Sequence, residues 1–207
     1  MVSRRSPLDS IVATTRGDDG TTGLLFGGER ITKDDPRAEA YGTIDEAVAA
    51  LGIARASAAT EAPTLTATAA GDLAELILRL QRELFVVGAE LATNPDAWAR
   101  LEDGRTRVSA AMVVALEVTL VETERGIAMP SEFVVPGETA TSAALELART
   151  IIRRAERRAV GLRREGLVPG EHLVPYLNRL ADLVWVLARA AEQAASRSAT
   201  PARRPRG

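Results

Sequence analysis

Residues 149–158 read Arg-Thr-Ile-Ile-Arg-Arg-Ala-Glu-Arg-Arg. At about 100° per residue, a helix puts Glu146, Arg149, Arg153, Glu156 and Arg157 on one arc. Leu147, Ala148, Ile151, Ile152, Ala155, Ala159 and Leu162 cover the other side. Such a helix packs one face into a core and presents guanidinium forks that suit phosphate, with the two acids holding neighbouring arginines in place. The same pattern also describes a solvated face stitched by i,i+4 ion pairs. Other segments have to decide between the two.

The segment Thr14-Thr15-Arg16-Gly17-Asp18-Asp19-Gly20-Thr21-Thr22-Gly23 holds three glycines and four threonines in ten residues. Glycines let backbone N–H groups turn toward phosphate oxygens, and the hydroxyls and Arg16 add donors. It is not a Walker loop, because Gly-Lys-Ser/Thr is missing and no strand precedes it. Turn-rich N-terminal segments of this kind are also simply mobile. Lys33, in Gly28-Glu29-Arg30-Ile31-Thr32-Lys33-Asp34-Asp35, offers a further phosphate partner. Asp45 falls in the first turn of a predicted helix. There its carboxylate either serves helix-start chemistry or meets an arginine of another helix or subunit. Phe133, in Phe133-Val134-Val135-Pro136-Gly137, reads most simply as apolar filler at a rigid turn.

These residues need a scaffold, and the chain of 207 residues is long enough for one domain with a sizeable core. Lys+Arg 26 against Asp+Glu 28 gives a net charge of −2, so no global field recruits nucleic acid or an anionic membrane, and an anion site must be a local cluster. The absence of cysteine removes disulfides, thiolate metal ligands and a Cys nucleophile, and fits a reducing compartment. The N-terminus lacks the apolar run of a signal peptide, and no apolar stretch reaches the ~18 residues of a membrane span. A soluble, cytoplasmic protein is expected.

Helical periodicity dominates from Thr43 onward. Thr43 is expected to cap a first helix carrying Ile44, Val48 and Leu51, with Glu46 at the capping-box position. A Thr/Ala/Pro stretch at 57–70 reads as a flexible connection. A second helix is expected over 72–93, a polar loop over 94–106 and a third helix over 107–125. The arginine helix covers 139–165. The last helix, 173–195, sets Leu173, Leu177, Leu180, Val184 and Leu187 against Asn178, Asp182, Trp185 and Arg189. The spacing gives an all-α antiparallel bundle of five helices, residues 37–195, behind an N-terminal loop segment, 1–36, with no strand. The tail, 196–207, is expected to be disordered.

The ordered set Gly-Asp-x-Gly-x-Thr, Gly-Glu-Arg-x-x-Lys-Asp-Asp, Ala-Tyr-Gly-Thr-x-Asp-Glu, Glu-Leu-Phe-x-x-Gly-Ala-Glu-Leu-Ala, Phe-Val-x-Pro-Gly, Arg-Arg-Ala-Glu-Arg and Leu-Asn-Arg-Leu-x-Asp spans residues 14–192. It resembles the PduO-type ATP:cob(I)alamin adenosyltransferases. The resemblance implies a ferritin-like homotrimer with active sites between subunits, ATP with Mg²⁺, and cobalamin as the second substrate. It implies that Thr14, Thr15, Arg16, Gly17, Thr22, Gly23 and Lys33 surround the triphosphate. Arg153, Arg154, Glu156, Arg157 and Asn178 would complete the nucleotide site, with Arg149 a further polar contact. Asp45 would pair with Arg153 across the interface. Phe133 would press on the lower face of the corrin, and Asp182 would lie on the corrinoid side. Cobalt(I) would attack the ribose C5′ and expel triphosphate, so no protein nucleophile, general base or resident metal is called for. A reductase and an adenosylcobalamin-dependent enzyme would be partners; nucleic acid and membrane would not. His172 reads as surface structure.

Three departures from the family pattern bear on activity. Arg16 directly precedes Gly17, which would shift the register of the loop on triphosphate. Glu138 follows Pro136-Gly137 where a glycine is usual. Glu146 stands where a histidine is typical, and would add negative charge near ATP. These departures support an alternative reading as a non-catalytic corrinoid- or nucleotide-binding carrier or regulator. A purely structural oligomer leaves Lys33, Asn178 and the Gly/Thr loop unexplained.

Overall fold

The computed structural model describes residue 10 and residues 12–61 and 72–203. Among them are five α-helices: α1 (Pro36–Glu61), α2 (Leu73–Leu91), α3 (Ala110–Arg125), α4 (Ala140–Arg164) and α5 (Leu173–Ala194). A 3-10 helix, Pro95–Arg100, occupies part of the segment expected to be a polar loop. Four two-residue strands, β1 (Thr21–Thr22), β2 (Ile31–Thr32), β3 (Val134–Val135) and β4 (Thr200–Pro201), pair antiparallel as β1–β2 and β3–β4. The protein is mostly helical, as expected, but the expectation of no strand does not hold.

The first helix begins at Pro36, well before Thr43. Proline suits the first helical position, and the Asp35 carboxylate accepts from Arg37 N at 2.8 Å, so the cap lies upstream. Thr43 therefore sits inside α1 and donates its hydroxyl to the Glu39 carbonyl at 2.7 Å. Residues 57–61, expected to be flexible, continue α1; the remainder of that connection lies outside the described residues. Asp72 and Ser109 cap α2 and α3. The start of α4 is held twice, by a Thr139–Ser142 capping box and by Glu61, whose carboxylate accepts from Ala140 N at 2.8 Å and Thr141 N at 3.0 Å.

Cross-helix contacts give the directions. Arg154 pairs with Glu46 and Arg158 with Glu39, so α4 runs against α1. Tyr176 donates to Glu83 at 2.8 Å and Gly170 N to Glu90 at 3.0 Å, so α5 runs against α2. The core is aliphatic. Ala47 and Ala54 on α1 and Ala148, Ala155 and Ala159 on α4 are fully buried, which lets these two extensively packed helices approach closely. Glu90 is buried and bridges two loops by accepting from Val108 N at 2.7 Å and from Gly170 N. Burial pushes its carboxyl up, against the pull of those two N–H groups. Among the described residues no helix is long and apolar enough to cross a membrane.

The tail does not follow the expectation of disorder through its described part. Thr200 and Pro201 pair with Val135 and Val134, Ala202 N donates to Phe133 O at 2.7 Å, and Thr200 Oγ1 donates to the Glu138 carboxylate. The tail thus straps the turn that carries Phe133. Residues 204–207 lie outside the described set.

Candidate active site

The outer stripe of α4 carries Arg153, Arg157 one turn on and Arg164 two turns beyond that, over about 16 Å of helix at 1.5 Å per residue. Together with Glu156, Val160 and Asn178 of α5 they line a groove of about 430 Å³. Three guanidiniums face one carboxylate there, so the groove is locally cationic on a chain of nearly neutral charge. Asn178 is fixed at both ends of its amide: Nδ2 donates to Glu156 at 3.1 Å, and Oδ1 accepts from Arg179 Nη1 at 2.8 Å. Arg179 is in turn tied to Glu117 of α3 at 3.1 Å. Fixing side chains before a ligand arrives lowers the cost of binding.

Arg154 is not in this groove. Its guanidinium turns to the other flank of α4 and pairs with Glu46 of α1, beside the Arg158–Glu39 pair. Arg164, not singled out from the sequence, joins the groove because it lies seven residues beyond Arg157, two turns along the same face.

A second cavity, about 460 Å³, opens beside Phe133 and is lined by Pro130, Pro136, Glu146, Arg149 and Trp185 among others. It holds Arg149, which the sequence grouped with the nucleotide-binding arginines. Phe133 is 90% exposed and so is not filler at a helix junction. Gly137, with φ of 128°, allows the turn behind it to close. Glu146 is only 4% exposed, accepting from Arg149 Nε at 2.6 Å and lying 3.2 Å from Arg189 Nη2. Its charge is neutralised from two sides, so it does not project negative charge into either cavity. Arg189, assigned by helical period to the polar side of α5, is 1% exposed. It also pairs with Glu192 at 2.9 Å. Burial raises the Glu192 carboxyl, and Arg189 holds it back.

The Gly/Thr segment, whose composition also fits a simply mobile stretch, is held by its own hydrogen bonds. Asp19 accepts from Thr21 N at 2.9 Å, β1 pairs with β2, and Lys33 Nζ donates to Gly17 O at 2.7 Å. Arg30 bonds the Arg16 and Thr21 carbonyls at 2.8 and 2.9 Å. The hairpin is fastened to the end of α2 through Leu25 N to Ala92 O at 2.7 Å and Asn94 Nδ2 to Gly27 O at 2.8 Å. Thr14, Thr15, Arg16, Gly17, Thr22, Gly23 and Lys33 line neither cavity. Asp45 is exposed on α1, and Asp182 is exposed on α5, 4.0 Å from Arg179. One chain therefore assembles the arginine groove and the Phe133 cavity but does not bring the loop to them.

Comparison with known proteins resolves what this constellation belongs to. A family model described as cobalamin adenosyltransferase matches residues 12–191. This chain belongs to the cobalamin adenosyltransferase family. A corrinoid adenosyltransferase of Citrobacter freundii is 40% identical over 128 residues, 61% of this chain and 64% of its own length. The corrinoid adenosyltransferase PduO of Salmonella typhimurium is 35% identical over 179 residues, 86% of this chain and 49% of its own. The chain thus spans less than two thirds of these relatives, though it covers 88% of a Mycobacterium bovis corrinoid adenosyltransferase at 35% identity. A solved PduO-type ATP:corrinoid adenosyltransferase from Lactobacillus reuteri, a phenylalanine-to-alanine variant complexed with cobalamin and ATP, superposes with a TM-score of 0.77 at 28% identity. The match covers 93% of this chain and 99% of that one.

Among cobalamin adenosyltransferases, then, this member carries its two cavities end to end on the α4–α5 face. Arg149 and Arg153 are one turn apart, about 6 Å along α4, and Trp185 and Asn178 are two turns apart on α5.

Proposed function

We propose that this protein transfers the 5′-deoxyadenosyl group of ATP to the cobalt of a reduced corrinoid, releasing triphosphate. The carrying observation is the adjacency of a cationic groove and an aromatic-edged cavity on one helix pair. Triphosphate fits the groove, where Arg153, Arg157 and Arg164 supply fixed positive charge to the departing oxygens. The flat macrocycle fits the cavity, with Phe133 against its lower face, displacing the axial base so that cobalt(II) is four-coordinate and easier to reduce. Cobalt(I) then donates an electron pair to C5′, the C5′–O bond breaks, and its electrons leave with triphosphate. Positioning accounts for up to about 7–11 kcal/mol of such a barrier. Mg²⁺ would arrive with the nucleotide.

Donors from the N-terminal loop, Thr14 to Gly23 and Lys33, would reach the groove from a neighbouring copy in a homotrimer, since their own chain holds them elsewhere. Asp45, exposed on α1, would supply that interface with a counter-charge for Arg153, which has no acidic partner in its own chain among the described residues. Asp182 would stand at the corrinoid end of α5. A cytoplasmic setting, with a reductase upstream and an adenosylcobalamin-dependent enzyme downstream, suits a product whose cobalt–carbon bond is labile.

Two of the three departures behind the carrier reading lose their force, because Glu146 is paired with two arginines and Glu138 is engaged by Thr200; the Arg16–Gly17 register is left as its support. The deciding assay mixes purified protein, MgATP and chemically reduced cobalamin and follows adenosylcobalamin absorbance. Product formation is expected; corrinoid binding without product would establish the carrier instead.

A further inference from the structure

Behind the Phe133 cavity runs an alternating chain of charges, Glu192–Arg189–Glu146–Arg149, from the interior to the cavity wall. Arg189 is 1% exposed, Glu192 1% and Glu146 4%, and two arginines balance two carboxylates. A guanidinium cannot escape by losing its proton, so Arg189 must stay charged where it is buried. The arrangement is costly. Arg189 Nε and Nη1 and Glu192 Oε2 are buried without hydrogen-bond partners. Replacing such networks by well-packed apolar residues is often neutral or stabilising, so stability is a weak reason for this one. Its exposed end is informative. Arg149 spends Nε on Glu146, and its two terminal amino groups have no partner among the described residues, although the side chain lines the cavity. Trp185 connects the two ends: its ring lies 5.5 Å from the Arg189 guanidinium and lines the same cavity.

We propose that Arg189 is a positioning residue for corrinoid binding. By occupying Glu192 and one oxygen of Glu146, it leaves the other Glu146 oxygen to hold Arg149 by Nε. The free fork of Arg149 is thereby presented to hydrogen-bond acceptors, such as amide oxygens, on the rim of a bound macrocycle. Without Arg189, Glu146 and Glu192 become adjacent buried carboxylates, and Arg149 is drawn inward to serve both. This inference rests on the Phe133 cavity being the corrinoid site.

The test is titration of cob(II)alamin into MgATP-loaded protein, read by electron paramagnetic resonance, alongside steady-state kinetics. Arg189→Met keeps the volume and removes the charge. It is expected to weaken corrinoid affinity about tenfold or more with the KM for ATP within about twofold, a split that general loosening of the fold does not produce. Arg189→Met combined with Glu192→Gln removes the stranded carboxylate and is expected to recover most of the affinity. Should Arg189→Met not fold, Glu146→Gln breaks the same relay more gently and is expected to show the same split. Unchanged corrinoid affinity, equal weakening for both substrates, or no recovery in the double variant would each overturn the assignment. A wild-type protein that binds cob(II)alamin without turnover would refute the transferase reading and leave this comparison standing.

Discussion

Arg153 and Asn178 face the same groove but do different work. Arg153 brings charge with no acidic partner among the described residues of its own chain, whereas Asn178 is clamped between Glu156 and Arg179 and sets the shape of the floor. Loss of a fixed donor at a developing anion lowers kcat by about 10²–10³. Arg153→Ala and Asn178→Ala are each expected to reach at least that loss with the assembly intact by size-exclusion chromatography, and near-normal turnover by both would remove the groove from the site. Phe133 gives a cleaner separation of stability from function. At 90% exposure its truncation to alanine should shift unfolding by no more than about 0.5 kcal/mol. The reaction from cobalt(II) should slow far more than the reaction from pre-reduced cobalt(I); equal slowing argues against axial-base displacement. The spacing of Arg153, Glu156 and Arg157 was legible because helical period alone puts them on one face. Arg189 was not, since a period assigns a residue to a side but says nothing of what covers that side. Its buried partner Glu146 lies more than forty residues away in the chain.

At the scale of elements, α4 is the part that must not move, because both cavities are read off it. Its first turn is held from outside by Glu61, the last residue of α1. Partial burial raises the Glu61 carboxyl, but hydrogen bonds from Thr141, Ala140 and Thr139 outweigh it and leave the group below its usual range. A depressed folded-state value contributes stability that is present above the unfolded-state value of about 4.3 and lost as pH falls through the folded one. Glu61→Ala should therefore cost about 0.5–2 kcal/mol at neutral pH, the usual worth of a helix cap. Thermal unfolding of wild type and variant should converge as pH drops below about 4. A gap that stays constant with pH would mean that the carboxylate charge is irrelevant to the cap. Most of this architecture was readable: α2, α4 and α5 follow their apolar period, whereas α3 buries Thr119 and Thr123 beside Leu116 and leaves Val114, Val118 and Val121 exposed. The start of α1 was not, because Asp35-Pro36 offers a cap as good as Thr43 and lies outside any apolar pattern. Strands of two residues carry no alternation to detect. β4 exists only because Val134–Val135 offers it an edge.

For the whole molecule, the decisive fact is what a single chain leaves apart. The Gly/Thr hairpin is fastened to the end of α2, while the groove lies on α4 and α5 and is lined by no residue of that hairpin. If nucleotide needs both, the loop of one copy meets the groove of the next through a head-to-tail contact that closes into a ring. That geometry predicts complementation. Lys33→Ala disables the loop and leaves the groove; Arg153→Ala disables the groove and leaves the loop. Each alone should be inactive. Co-expressed in equal amounts with different tags, they assemble at random; about one interface in four across the whole population, and about one in three within each mixed trimer, joins an intact loop to an intact groove, so about a third of wild-type turnover should return in the mixed oligomer. Sites contained within one chain would give none, because every chain in the mixture carries a lesion. Recovery in doubly tagged particles, with none on mixing the two variants after each has assembled separately and without exchange, would locate the active site between copies. No recovery in any mixture would place loop and groove in one chain and require the hairpin to leave α2 when nucleotide binds.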